Sequence, residues 1–138
     1  MRRLTCRASL WAMSCALVVF LASGCGFDEE GYRVSGKVTF QNQPIPKGYI
    51  TFSPDHSKNN DGPQGRATIN NGAYKSDTGK GIVGGPYIVT VFGYDGVPAK
   101  SEDGEALPDG QPLFTPYRMT TTFPKEDTEK NIDVPAPK

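Results

Sequence analysis

The stretch Tyr32-Arg33-Val34-Ser35-Gly36-Lys37-Val38-Thr39-Phe40-Gln41 decides the class of fold. Tyr32, Val34, Gly36, Val38 and Phe40 take one phase of a two-residue period; Arg33, Ser35, Lys37, Thr39 and Gln41 take the other. Successive side chains of a strand point to opposite faces, so this alternation predicts a strand with one buried and one wet face. Outward from it the punctuation is that of β-structure. Gln41 to Gly48 is turn-rich, and Tyr49-Ile50-Thr51-Phe52-Ser53 reads as a returning strand stopped by Pro54. Asp55 to Gln64 is polar and reads as a surface loop. Asn71-Gly72 separates two β-prone segments, Gly65 to Ile69 and Ala73 to Ser76, which predicts a hairpin closed by a type I′ turn. After a glycine-rich link from Gly79 to Pro86, Tyr87-Ile88-Val89-Thr90-Val91-Phe92 is apolar on both faces, as a central strand would be. Thr128 to Val134 supplies a last strand. No capped, 3.6-periodic apolar run of helical length occurs in this region. The expectation is an all-β, antiparallel, seven-stranded β-sandwich.

The N-terminal residues follow a different rule. Arg2, Arg3 and Arg7 precede an uncharged run from Ala8 to Gly26, with an apolar core from Leu10 to Leu21 and the small residues Ala22, Ser23 and Gly24. This is the three-part layout of an export signal. Removing residues 1–24 leaves 114 residues with 12 basic and 15 acidic side chains, a net charge near −3. A basic nucleic-acid binder is excluded by that balance. All 12 prolines and 15 of the 16 glycines fall in the same 114 residues, which argues against a helical bundle. Of the three cysteines, Cys6 and Cys15 go with the leader and Cys25 becomes the first residue, so no internal disulfide is available.

Leu21-Ala22-Ser23-Gly24-Cys25 resembles the bacterial lipoprotein signal, in which small residues precede a cysteine that is linked to diacylglycerol. Ala22 stands where Leu is commonest. The resemblance implies acylation at Cys25 and attachment to the cell envelope. Gly26 in place of Asp favours the outer membrane. Several acyl chains at about 0.8 kcal/mol per buried methylene give durable anchoring. Residues 25–31 then form a short acidic tether, and residues 32–138 the folded domain.

Within that domain Val34-Ser-Gly-Lys-Val-Thr-Phe40, Gln43-Pro-Ile-Pro46 and Gly48-Tyr-Ile-Thr-Phe52 resemble the opening of carboxypeptidase-regulatory-like, or transthyretin-like (prealbumin-like), domains. Ile69-Asn-Asn-Gly72-Ala-Tyr74 and Gly81-Ile-Val-Gly-Gly-Pro-Tyr87-Ile-Val-Thr-Val91 follow in the family's order. The resemblance implies a β-sandwich in a small envelope lipoprotein. Asn42-Gln43 departs from the family's usual Asn/Asp-Gly, and residues 94–126 form a long insertion.

Chemistry is sparse. The hydroxyisourate hydrolases that share this fold need several histidines and a C-terminal Tyr-Arg-Gly-Ser; this chain has one histidine and ends Val134-Pro-Ala-Pro-Lys138. His56 beside Asp55 is the sole candidate dyad for a cryptic hydrolase, against a solvated loop histidine. Without a second His or a retained Cys beside it, zinc is not expected. The acidic loops Asn59-Asn60-Asp61-Gly62 and Ser101 to Asp109 lack EF-hand spacing. Gly79, Gly81, Gly84 and Gly85 are followed by no Gly-Lys-Ser/Thr and no helix, so no nucleotide and no cofactor is expected. The reading is a non-catalytic structural or ligand-binding module. Its partners are the membrane, through Cys25, and an envelope protein or glycan.

Long loops on a rigid scaffold usually carry recognition. Within the insertion, Asp95 to Gln111 is acidic, glycine-rich and expected to be mobile and dispensable. Tyr94, Phe114, Tyr117 and Phe123 are the candidate partner-binding residues, as loop tyrosines and phenylalanines on which a glycan could stack. Pro112, Pro116 and Pro124 are expected to discourage pairing of this segment with a further chain.

Overall fold

The computed structural model describes residues 31–136. The leader, Cys25 and all of the tether before Gly31 lie outside the described residues. The strands are β1 (Val34–Phe40), β2 (Gln43–Pro44), β3 (Lys47–Pro54), β4 (Gly65–Asn70), β5 (Ala73–Ser76), β6 (Gly85–Tyr94), β7 (Ala99–Lys100), β8 (Ala106–Leu107), β9 (Tyr117–Phe123), β10 (Thr128–Glu129) and β11 (Ile132–Val134). The only helical element among the described residues is a single 3-10 turn at His56–Lys58. Hydrogen bonds connect the main sheet in the order β10-β1-β5-β4-β3-β6-β9, with β2 and β11 also on β1. The molecule is all-β, a sheet curled into a half-barrel around its core.

The alternation read in β1 holds: Val34 and Val38 are fully buried while Arg33 and Lys37 are exposed. In β6, Tyr87, Val89 and Val91 enter the core, while Ile88, Thr90, Phe92 and Tyr94 are half-buried on the opposite face. β6 lies between β3 and β9, the central place its two apolar faces require. The core is one cluster in which Phe52 packs edge-on against Phe123, as does Tyr87.

Two tight turns set the register at one end. Asn71 and Gly72 have φ of 49° and 75°, and the hairpin closes on the pair Asn70 and Ala73. Gln41 and Asn42 form the second turn, at φ of 51° and 61°, between the paired residues Phe40 and Gln43. The chain here turns without glycine. The Gly72 N–H donates to the Ile45 carbonyl over 2.8 Å, and the Asn71 N–H to the Pro46 carbonyl over 2.9 Å. The β2–β3 link is thereby fastened to the hairpin tip.

One expectation is corrected. The sheet is not wholly antiparallel, because β10 and β11 run parallel to β1, with Val34 beside Thr128 and Val38 beside Ile132. β5 already holds one edge of β1 antiparallel, and β9 delivers the chain to the end at which β1 begins, so the last segment must climb beside β1. Between β10 and β11 this segment breaks at Lys130 and Asn131. Gly36 faces the break, where any Cβ would run into the Lys130 carbonyl. The Asn131 side-chain oxygen accepts the Lys37 N–H over 2.8 Å, and the Tyr74 hydroxyl donates to the Lys130 carbonyl.

A second correction concerns the insertion. Residues 95–111 form a lobe around the small β7–β8 ribbon rather than a structureless link. Asp95 Oδ1 accepts the N–H groups of Val97 (2.9 Å) and Gln111 (3.1 Å), and the Gly96 N–H donates to the Asp109 carbonyl, so the neck of the lobe is closed. The rest of the insertion supplies β9, a full strand of the main sheet.

Two stability tests follow. Gly72→Ala places a Cβ on Pro44 at a left-handed φ and should cost roughly 2 kcal/mol, read by urea denaturation. Burial, with Glu129 nearby, pushes the Tyr74 hydroxyl well above its ordinary pKa of 10.0. Its folded-state pKa exceeds the unfolded one, so its contribution is complete below pH 10.0 and declines as pH rises beyond that value. Tyr74→Phe should lower stability by about 1–2 kcal/mol at neutral pH and flatten the alkaline fall, both measured by denaturation across pH.

Candidate functional site

The strand directions give the molecule two distinct ends. β1, β4 and β6 run one way and β3, β5 and β9 the other. Gly31, the loop 55–64, the link 77–84 and residues 124–127 therefore share the end at which the described residues begin, named the tether end after the expected tether. The turn at Gln41 and Asn42, the link 45–46, the Asn71-Gly72 tip and the lobe 95–111 share the far end.

The far end carries a cleft of about 300 Å³ between the β1–β2 turn, the proline-rich link and the lobe. Its floor is apolar, from Phe40, Ile45, Pro46 and Leu113, and its rim is polar, from Gln41, Gln43 and Asp95. Ile45 is fully buried and fixed by the contact of its carbonyl with Gly72, so the floor is rigid. Val97, 63% exposed, stands on the adjoining lobe. An apolar floor with a few convergent polar groups on built backbone is the usual composition of a binding cleft.

The tether end has a larger groove, of about 600 Å³, with Arg33, Lys75, Asp77 and Asp127 on its walls. These charges are mixed in sign, and the two carboxylates are engaged: Asp127 Oδ1 accepts the Arg33 backbone N–H over 2.8 Å, and Asp77 Oδ1 accepts the Thr68 hydroxyl over 3.0 Å.

The candidate dyad separates. His56 Nδ1 lies 2.8 Å from Asp61 Oδ1, not against Asp55, and the two side chains are 71% and 86% exposed. Asp55 instead caps the 3-10 turn and accepts the Ser57 hydroxyl over 2.5 Å. Ser57 and the Lys58 ammonium hold the Asp55 carboxyl below the usual carboxylate range. The hydroxyl of Ser57, the residue after the histidine, is thus committed to another carboxylate, and the imidazole is largely exposed. His56→Ala should leave the melting temperature unchanged, as measured by calorimetry.

The four aromatic candidates also part company. Phe123 is 3% exposed and belongs to the core. Tyr117 and Phe114 pack against that core from its margin, and the Phe114 ring lies 4.8 Å from that of Phe40. Tyr94 alone lies on the outer face, where burial and the neighbouring Tyr49 hydroxyl raise its pKa. That face carries a ladder which periodicity could have found by pairing β3 with β6. Tyr49 stacks on Phe92 at 4.5 Å and 17°, and the Arg66 guanidinium sits 4.2 Å from the Tyr49 centroid on the other side. Both faces of the Tyr49 ring are therefore occupied, leaving no ring face there for a sugar. The cleft residues Gln41, Gln43, Pro46 and Leu113 had no signal in the sequence, because three separate segments meet to form it.

Among the described residues, no group of three or more His, Cys, Asp or Glu side chains is placed to hold a metal ion, and no helix is long and apolar enough to cross a membrane. No protein-family model, no curated protein and no solved structure matches this chain.

Asp95→Ala should loosen the neck of the lobe. Faster amide exchange at Val97 and Gln111, with little change at the β3 and β6 amides, is the expected hydrogen-exchange result.

Proposed function

We propose that this chain is an exported lipoprotein, acylated at Cys25 and held at the cell envelope, with the outer membrane favoured. Its β-module is a non-catalytic binding unit whose recognition surface is the far-end cleft and the lobe beside it. The observation that carries this reading is the polarity of the sheet. The tether joins at Gly31, and the one cleft with an apolar floor, among the cavities described above, opens at the opposite end. Anchoring and recognition then use different ends of one rigid body.

The module is of the carboxypeptidase-regulatory-like, transthyretin-like type, a seven-stranded sandwich. Seven strands reach three residues or more, namely β1, β3, β4, β5, β6, β9 and β11. The β4–β5 hairpin joins a group β5-β1-β11 to a group β4-β3-β6-β9, and contacts such as Phe52 with Tyr74 cross between them. A binding role is favoured over a hydrolytic one by the solvated His56–Asp61 pair and by the commitment of Ser57 to Asp55.

Two measurements test the reading. Mass spectrometry of membrane-extracted protein should find residues 25–138 plus acyl chains, and Cys25→Ser should shift the chain to the soluble fraction. Unmodified Cys25 in a chain that still bears Met1 overturns the anchoring. Photo-crosslinkers at Gln43 and Val97 should capture a discrete envelope component that one at Thr78, on the tether end, does not. Equal capture at both ends overturns the location of the surface.

A further inference from the structure

The two margins of the curled sheet are unlike each other. On the β1 side, the outermost pieces are β2, β10 and β11, of two or three residues each, a common way of blunting an edge. On the other side, β9 presents seven residues without lysine, bulge or internal proline. Pro116 and Pro124 stand immediately outside the strand, so they delimit the available window instead of closing it.

Backbone polarity can be followed across the sheet. The Asp55 N–H donates to the Pro86 carbonyl, which directs the even-numbered residues of β6 toward β3 and the odd-numbered ones toward β9. The bond from the Leu113 N–H to the Gly93 carbonyl agrees with that phase. By register, Tyr117, Met119, Thr121 and Phe123 direct their N–H and C=O groups at β6. Arg118, Thr120 and Thr122 direct theirs away, have no hydrogen-bond partner among the described residues, and are all exposed.

We propose that β9 is a dimerisation edge, pairing antiparallel with β9 of a second copy of this chain about a two-fold axis at Thr120. The strand is complementary to itself in that register. Thr120 faces Thr120 of the other copy and Arg118 faces Thr122, so no like charges oppose, and threonine pairs across strands are favourable. On the core side Tyr117 faces Phe123 and Met119 faces Thr121 in the close, non-hydrogen-bonded positions. The pairing covers Tyr117 and Met119, the half-buried margin of the core. Each copy donates three N–H groups and accepts at three carbonyls. The axis is normal to the sheet, so the far end of each copy lies beside the tether end of the other, and the separation of anchoring from recognition described above holds for each copy and not for the pair as a whole. The proposal uses backbone groups and does not rest on acylation.

The test uses the full-length chain in its own membranes, with the wild type setting the background from its native cysteines. Facing Cα atoms of a hydrogen-bonded pair lie about 5.5 Å apart, within disulfide reach. Thr120→Cys should give an oxidant-dependent band at twice the chain mass. Arg118→Cys and Thr122→Cys should each stay at background alone and cross-link when co-expressed. Thr120→Lys opposes two ammonium groups and should leave the chain monomeric with an unchanged β-sheet circular dichroism spectrum, with co-expressed Thr120→Glu restoring the pair. A Thr120→Cys band at background, or equal bands at all three single positions, overturns the proposal.

Discussion

The Tyr74 hydroxyl, donated to the Lys130 carbonyl above Gly36, is the contact on which the closure of the sheet depends. It joins β5, β1 and the break between β10 and β11, segments separated by up to 94 positions in the chain. Lacking a Cβ, Gly36 lets the last segment approach β1 closely enough for Val38 and Ile132 to share one core. A half-buried carbonyl left without a partner at a break in pairing would otherwise cost free energy. The hydroxyl and the Asn131 side chain satisfy the groups that the break leaves open. Curvature and closure therefore come from one irregular point rather than from a uniform ladder.

The same economy appears at the far end. The carbonyls of Ile45 and Pro46 accept the amides of Gly72 and Asn71, so one turn holds another and the cleft floor is built on fixed backbone. The neck of the lobe is closed by backbone bonds and by the Asp95 carboxylate, which accepts two amides that are 14 residues apart in sequence. Loops that are tied at the neck lose less entropy on binding than free ones. At the tether end, by contrast, Asp77 and Asp127 bind the protein itself.

The free margin of β9 has a counterpart in how the other margin is finished. Short strands and the parallel final segment cover β1, whereas nothing among the described residues covers Arg118, Thr120 and Thr122. An uncovered row of amides and carbonyls is a template for another strand. Threonine on its outer side and aromatic rings on its core side make a second copy an apt partner.

Much of the β-structure was legible in the sequence, because it rests on local rules. Period two in β1, the positive-φ demand of Asn71-Gly72 and the doubly apolar β6 each follow from the geometry of a single strand or turn. Tertiary structure alone decided what depends on neighbours distant in the chain. Parallel pairing of the last segment with β1 arose because β5 already held the other edge. Asp61 displaced Asp55 as the partner of His56 because the 3-10 turn drew Asp55 into its cap. Phe123 became core, Tyr117 the margin of the core and Tyr94 outer face because their strands pair in one particular register, and a shift of one residue would exchange the faces. The alternation of side chains is written into a strand by its own backbone, but which strand lies beside it is fixed only by the competition among all edges for the same core.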